Sequence, residues 1–138
     1  MKRNLLLFAA TLALVVTTAA SAQTINLKAN VPFNFIVNRA SLPAGEYSVQ
    51  SMDDNGRVLA IRDLDTKATS LVISNPCRSR DSASQTKLIF HRYGDRYFLN
   101  QIWVEGNNAG HELSTSAREK EVAMDFTAHD VVLMATRR

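Results

Sequence analysis

The chain has only one cysteine, Cys77, so an intramolecular disulfide cannot form even in an oxidising compartment. It also lacks the motifs C-x-x-C, H-E-x-x-H and G-x-S-x-G, and it has no glycine-rich loop of the kind that holds phosphate groups. A second long hydrophobic run is absent as well. These absences argue against the common redox, zinc, hydrolase and nucleotide-binding classes, so function has to be inferred from less specific patterns.

The lone Cys77 allows two interpretations. It lies in a polar segment, residues 75–84, that lacks any hydrophobic period and is predicted to be the longest loop. A thiol there is either tolerated without a role, or it is reactive or forms an intermolecular disulfide. Arg78 and Arg80 follow it closely, and nearby positive charge would lower the pKa of the thiol.

The amino terminus has the three parts of a bacterial-type signal peptide. Lys2 and Arg3 are followed by an apolar stretch over residues 5–16 and by the small residues Ala20-Ser21-Ala22. We expect residues 1–22 to be removed after Ala22, so that an exported mature chain, periplasmic or extracellular, begins at Gln23. A membrane anchor would need about 20 apolar residues, and here threonines and small residues interrupt the run.

The expected mature chain has nearly equal numbers of basic and acidic residues. Loss of Lys2 and Arg3 leaves 14 basic residues against all 13 acidic ones. No basic stripe remains, so a nucleic-acid partner is excluded as an interpretation. Residues 23–138 are long enough for one domain with one core, and they offer no further transmembrane segment.

The mature chain consists of short β-rich runs separated by turn residues. This spacing predicts a mostly β domain, a single antiparallel β-sandwich or partly open barrel of about seven strands. The first run extends from Ile25 to Val37 and is broken at Pro32, because proline cannot donate to a strand ladder. A helix of about ten residues, from Ala117 towards Phe126 and capped by Ser116, is predicted. It precedes the last predicted strand, His129 to Ala135.

Turn residues fix the register of three hairpins. A three-residue loop ending in Gly56 pairs Val49 with Ile61 and places Tyr47 on the same buried face. A three-residue loop at Asp65-Thr66-Lys67 would likewise pair Leu71 with Ile61. Another hairpin, Lys87 to Val104, turns at Gly94-Asp95 and pairs His91 with Phe98. Both of its faces are largely apolar, which predicts a central hairpin covered on both sides.

His91 is the histidine with the most functional promise. Arg92 and Asp95 are close in sequence, and together these groups could act as an acid/base centre. The alternative is a packed, neutral imidazole with one hydrogen-bond partner. His111 and His129 complete the set, and the separations of 20 and 18 residues match no metal-ligand motif, so neither a metal site nor a cofactor is predicted.

Aromatic residues on this hairpin suggest a binding surface. Tyr93, Tyr97 and Trp103, together with His91, could form an exposed patch that binds a protein, a glycan or a small apolar ligand. The alternative is that these side chains pack in the core. The choice depends on which strand face each side chain occupies.

Three blocks resemble a group of small exported bacterial proteins of unknown function. They are Val31-Pro32-Phe33-Asn34-Phe35, Leu42-Pro43-Ala44-Gly45-Glu46-Tyr47 and the stretch from Lys87 to Leu99. The resemblance covers nearly all of the mature chain and implies export and a single domain, but no activity.

Taken together, the sequence predicts an exported, non-enzymatic binding or envelope-associated structural module. Two alternatives remain open. The chain could be a carrier that holds a small apolar ligand in a barrel cavity, or a hydrolase-type enzyme centred on His91.

Overall fold

A computed structural model of the protein describes residues 25–137, so the expected signal peptide and its cleavage site lie outside the described residues. This part of the chain is mostly β-structure, with eleven strands and one helix. The strands are β1 (Asn26–Val31), β2 (Phe35–Val37), β3 (Ala40–Leu42), β4 (Gly45–Ser51), β5 (Val58–Asp63), β6 (Thr69–Arg78), β7 (Lys87–Tyr93), β8 (Arg96–Trp103), β9 (Ala109–Leu113), β10 (His129–Met134) and β11 (Thr136–Arg137). Helix α1 (Ala117–Ala123) precedes β10.

The mostly β class is confirmed, but the predicted seven antiparallel strands are wrong. Eleven strands form one mixed sheet, in which β2 runs parallel to β8 through Ile36 and Phe98. The ladder is not closed, because its path starts at β10 and ends at β11. Strand β9 escaped prediction because its sequence, Ala109–Leu113, follows turn residues and contains few β-formers.

Strand β6 joins two halves of the sheet, one that contains β5, β4, β1 and β11 and one that contains β9, β8, β7 and β10. Its first half, Thr69–Ile73, pairs with β5, and its second half, beginning at Ser74, pairs with β9. The two halves enclose a core that includes the fully buried side chains of Leu27, Leu59 and Phe90. The outer segment of residues 75–78, which the sequence placed in a loop, is therefore strand.

The register between β4 and β5 is confirmed, with Val49 opposite Ile61 and Gly56 in the left-handed region at φ 67°. The register predicted between β5 and β6 is wrong by one residue, since Ile61 pairs with Ser70 and not with Leu71. The turn between them has four residues, with the Asp63 N–H donating to the Ala68 carbonyl across it at 2.9 Å.

The Asp63 side chain explains this longer turn. Its Oδ1 accepts hydrogen bonds from the backbone N–H groups of Asp65 at 2.9 Å and Thr66 at 3.4 Å, and these bonds lower the pKa of the carboxyl group. Because a one-residue slip moves every side chain to the other face, Val72 is buried while Leu71 and Ile73 point outward.

The β7–β8 hairpin pairs His91 with Phe98 as predicted, and Gly94 has φ 63° in its turn. It is covered on both sides, by the core on one face and by Val122 of α1 on the other. The helix is shorter than the ten residues predicted. It ends at Ala123, because the N–H of Met124 donates to the carbonyl three residues back instead of continuing the helical pattern.

The register of β6 can be tested with two matched leucine truncations. Leu59 is fully buried and Leu71 is 62% exposed. Leu59→Ala should lower the free energy of unfolding by about 2–5 kcal/mol, whereas Leu71→Ala should change it by no more than roughly 0.5 kcal/mol. Urea unfolding of both variants measures the difference, and equal losses would contradict the register.

Candidate functional site

A groove of about 350 Å³ lies between the first half of β6, strand β2 and helix α1. Its lining combines apolar and polar side chains. The apolar ones include Ile36, Leu71, Ile73, Phe98 and Leu113, and the polar ones are Asn38, Ser114, Ser116 and Glu119. Two of these side chains are unusually exposed for their size, Leu71 at 62% and Ile73 at 65%. Neighbouring exposed apolar side chains beside a concave surface are typical of a binding site.

Glu119 brings a carboxylate into this groove. The residue is only 5% exposed, and it lines the groove together with Ser114 and Ser116. Its Oε1 accepts a hydrogen bond from the Tyr93 hydroxyl at 3.0 Å and lies 2.9 Å from Nδ1 of His91. A buried carboxylate is costly unless it is hydrogen-bonded, and here two donors converge on one of its oxygens.

His91 is held at both ring nitrogens. With its proton on Nδ1, the ring donates to Glu119 and accepts at Nε2 from the Asn100 amide, 2.9 Å away. Asp130 Oδ1 lies 3.6 Å from the same Nε2. The predicted single hydrogen-bond partner is therefore wrong. Since both nitrogens are engaged, the network fixes the Glu119 carboxylate in the groove wall and does not present an unengaged base.

The local sequence explains why Glu119 points here. Ser116 caps the helix, and its Oγ accepts from the Glu119 N–H at 3.2 Å. In a full capping box the glutamate side chain returns to the cap, but in this chain it reaches His91 and Tyr93. Glu119 also shares a helix face with Val122, three residues later, which packs on the hairpin.

The structure brings only part of the predicted aromatic patch together. Tyr93 lies beside His91 and Glu119, and burial with the Glu119 hydrogen bond raises its pKa to about 12. Tyr97 faces the other side of the sheet and stacks on Phe33, with ring centroids 3.8 Å apart. Trp103 is 8% exposed and packs against the backbone of β9.

Arg92 and Asp95 do not join His91. Arg92 Nε donates to the Gly94 carbonyl at 2.7 Å, and Asp95 is exposed beside that turn. The acid/base trio expected from sequence proximity is therefore not assembled. Glu119, 28 residues away, takes the place of the expected Asp95.

Cys77 lies in β6 opposite Gly110. Burial, and then the nearby charge of Glu112, raise the pKa of its thiol, which is the opposite of the effect expected from Arg78 and Arg80. A raised pKa lowers the thiolate fraction and argues against a reactive thiol.

The remaining histidines, His111 and His129, have no metal-binding partners among the described residues. His111 lies in β9, and the side chain of Ser74 contacts its Nδ1 at 3.2 Å. His129 is exposed at the start of β10. Across residues 25–137, no three side chains of His, Cys, Asp or Glu are grouped so that they could hold a metal ion.

No family model, curated protein or solved structure matches this chain. Within the described residues, no helix has the length and apolar character needed to cross a membrane. The site therefore has to be interpreted from its own geometry.

Coupling between His91 and Glu119 is the first measurable property of the site. His91→Phe leaves the carboxylate with Tyr93 as its one remaining partner, so we expect a loss of about 1–3 kcal/mol of unfolding free energy. The double variant with Glu119→Leu should be less destabilised than the sum of the single changes, by about 0.5–3 kcal/mol. Pairing His91→Phe with Glu121→Leu, on the exposed face of α1, is the control and should be additive. Additivity in both pairs would contradict the network.

A second prediction concerns pH. Burial lowers the pKa of His111 below its ordinary value of 6.5, so the unfolded chain binds the proton more tightly than the folded one. The stabilisation is complete above pH 6.5 and is lost as the pH falls through the folded-state pKa. Urea unfolding at pH 7.5 and 5.0, which are values chosen to bracket this range, should show a larger loss for the wild type than for His111→Gln. Identical losses would refute this assignment.

Proposed function

We propose that the protein is an exported, non-enzymatic binding module whose ligand occupies the groove beneath α1. The ligand has apolar groups and carries a positive charge or a strong hydrogen-bond donor. The observation that supports this most is a nearly buried carboxylate, Glu119, in the wall of a groove whose other lining residues are apolar or uncharged. Small-molecule and peptide sites commonly combine an apolar lining with a few fixed polar groups.

The charge of the groove lining predicts the sign of the charge on the ligand. None of the described residues that line the groove is lysine or arginine, and Glu119 is the one acidic residue among them. Its two protein donors, Tyr93 and His91, are bound to Oε1. Oε2 is then the oxygen that a ligand ammonium or N–H group would use, and a charge-assisted hydrogen bond there would be strong.

Two alternatives, a carrier with an internal cavity and a hydrolase, are less well supported by the structure. A carrier with an internal cavity needs empty space in the core, and the region between the two halves of the sheet is occupied by side chains such as Leu27 and Phe90. Strands β10 and β11, at the two ends of the ladder, are separated by Ala135 alone, which supports a partly open barrel around that core. A hydrolase is less well supported, because both His91 nitrogens are engaged.

Export belongs to the same proposal and depends on the pattern of residues 1–22. A secreted binding module would meet its ligand outside the cytoplasm. Protein recovered from a secreting host is therefore the material for the binding test, and its intact mass should correspond to a chain that begins at Gln23.

The test uses two probes of equal length and opposite charge, hexylammonium and hexanoate. Hexylammonium should produce saturable NMR shifts at Phe98 and Leu113, and hexanoate should not. Glu119→Gln should weaken hexylammonium binding roughly tenfold, the loss of one charge-assisted hydrogen bond of about 1.5 kcal/mol. Glu121→Gln, on the exposed face of the same helix, is the control and should have no effect. Equal binding of both probes, or of neither, would overturn the proposal.

A further inference from the structure

The first half of β6 has a free edge that borders the groove. Residues 69–73 pair with β5 on one side, and β9 begins to pair only at Ser74. On the other side no described strand pairs with them. Leu71 and Ile73 on this edge also line the groove, so the groove and the free edge are one surface.

Ladder geometry decides which backbone groups point into the groove. Asp63 N–H donates to Ala68 C=O, and Ser74 N–H donates to Arg57 C=O. In an antiparallel ladder the backbone groups of successive residues alternate in direction, so residues 68, 70, 72 and 74 face β5. The N–H groups of Leu71 and Ile73 therefore face the free edge, and their apolar side chains are exposed beside it.

We propose that this edge binds an extended peptide as an additional β-strand. The inference depends on the proposed function and names its ligand class. Strand addition uses backbone hydrogen bonds for affinity and pockets for alternate side chains for specificity. Both are present here, as the N–H groups of β6 and as the apolar surface formed by Ile36 and Phe98.

The chemistry of the groove defines the peptide. Alternate side chains should be apolar to pack on the groove wall, and one should be lysine or arginine to reach Glu119. A second copy of this chain fits less well. Symmetric pairing about Leu71 would bring together two edges whose grooves each carry a Glu119 carboxylate, and the lining of the second groove offers no cation to the first.

Amide hydrogen exchange is the direct test. The probe is an acetylated heptapeptide of alternating valine and threonine with one lysine at its amino end. It should slow exchange of the Leu71 and Ile73 amides by at least about tenfold. The amides of Ser70 and Val72 are internal controls, because they already belong to the ladder with β5, and their exchange should not change.

Two matched changes separate strand addition from simple apolar binding. Methylating the peptide nitrogens that would face β6 keeps every side chain and should abolish the protection. Leu71→Pro removes one N–H that faces the free edge, spares the ladder to β5, and should weaken binding at least about tenfold. Since proline could impair folding, the methylated peptide is the decisive comparison.

The outcomes are distinct. Protection that requires unmethylated peptide supports the proposal. Equal binding of the methylated peptide, or binding without protection of Leu71 and Ile73, overturns it. Protection in the free protein that increases with protein concentration also overturns it, in favour of a second copy. If the peptide fails while hexylammonium binds, strand addition fails alone, and if neither binds, the proposed function fails too.

Discussion

The change of partner along β6 is the constraint on which the other features depend. At Ser74 the strand leaves β5 and joins β9. Ser74 is 1% exposed, and its hydroxyl donates a hydrogen bond to the Gly56 carbonyl at 2.7 Å and lies 3.2 Å from His111 Nδ1. A buried hydroxyl needs such partners. Because pairing with β9 starts only at Ser74, the first half of β6 keeps one edge that none of the described strands pairs with, and the groove opens beside it.

Helix α1 closes the groove, although it is too short to be stable alone. It has seven residues, and isolated helices shorter than about 12–15 residues are marginal in water. Its position depends on Val122 in the apolar contact with the hairpin and on Glu119 in the hydrogen bonds to His91 and Tyr93. The carboxylate that we propose as the ligand contact therefore also anchors the helix.

Local turn chemistry made part of the fold predictable. Gly56 and Gly94 both have positive φ, and the hairpins they close have the predicted registers next to the turn. The predicted β5–β6 register was wrong because the Asp63 side chain accepts hydrogen bonds from the N–H groups of Asp65 and Thr66, which lengthens the turn. Nothing in the apolar pattern opposed the error, since Leu71, Val72 and Ile73 are apolar on both faces.

The site was less predictable, for related reasons. His91 could be identified from its hairpin, but its partner Glu119 is 28 residues away and its sequence context indicated only a helix cap. A β-bulge in β8, where Asn100 is the extra residue opposite Ile89 and Phe90, places Ile102 on the core face with Leu99, and Trp103 on the face opposite Tyr97. Where both faces of a strand are apolar, alternation carries no information about such a shift. In a strand with one polar face, a break in the apolar and polar alternation would indicate the bulge. In a hairpin that is buried on both faces there is no such break, so the geometry of the site could not be predicted from the sequence.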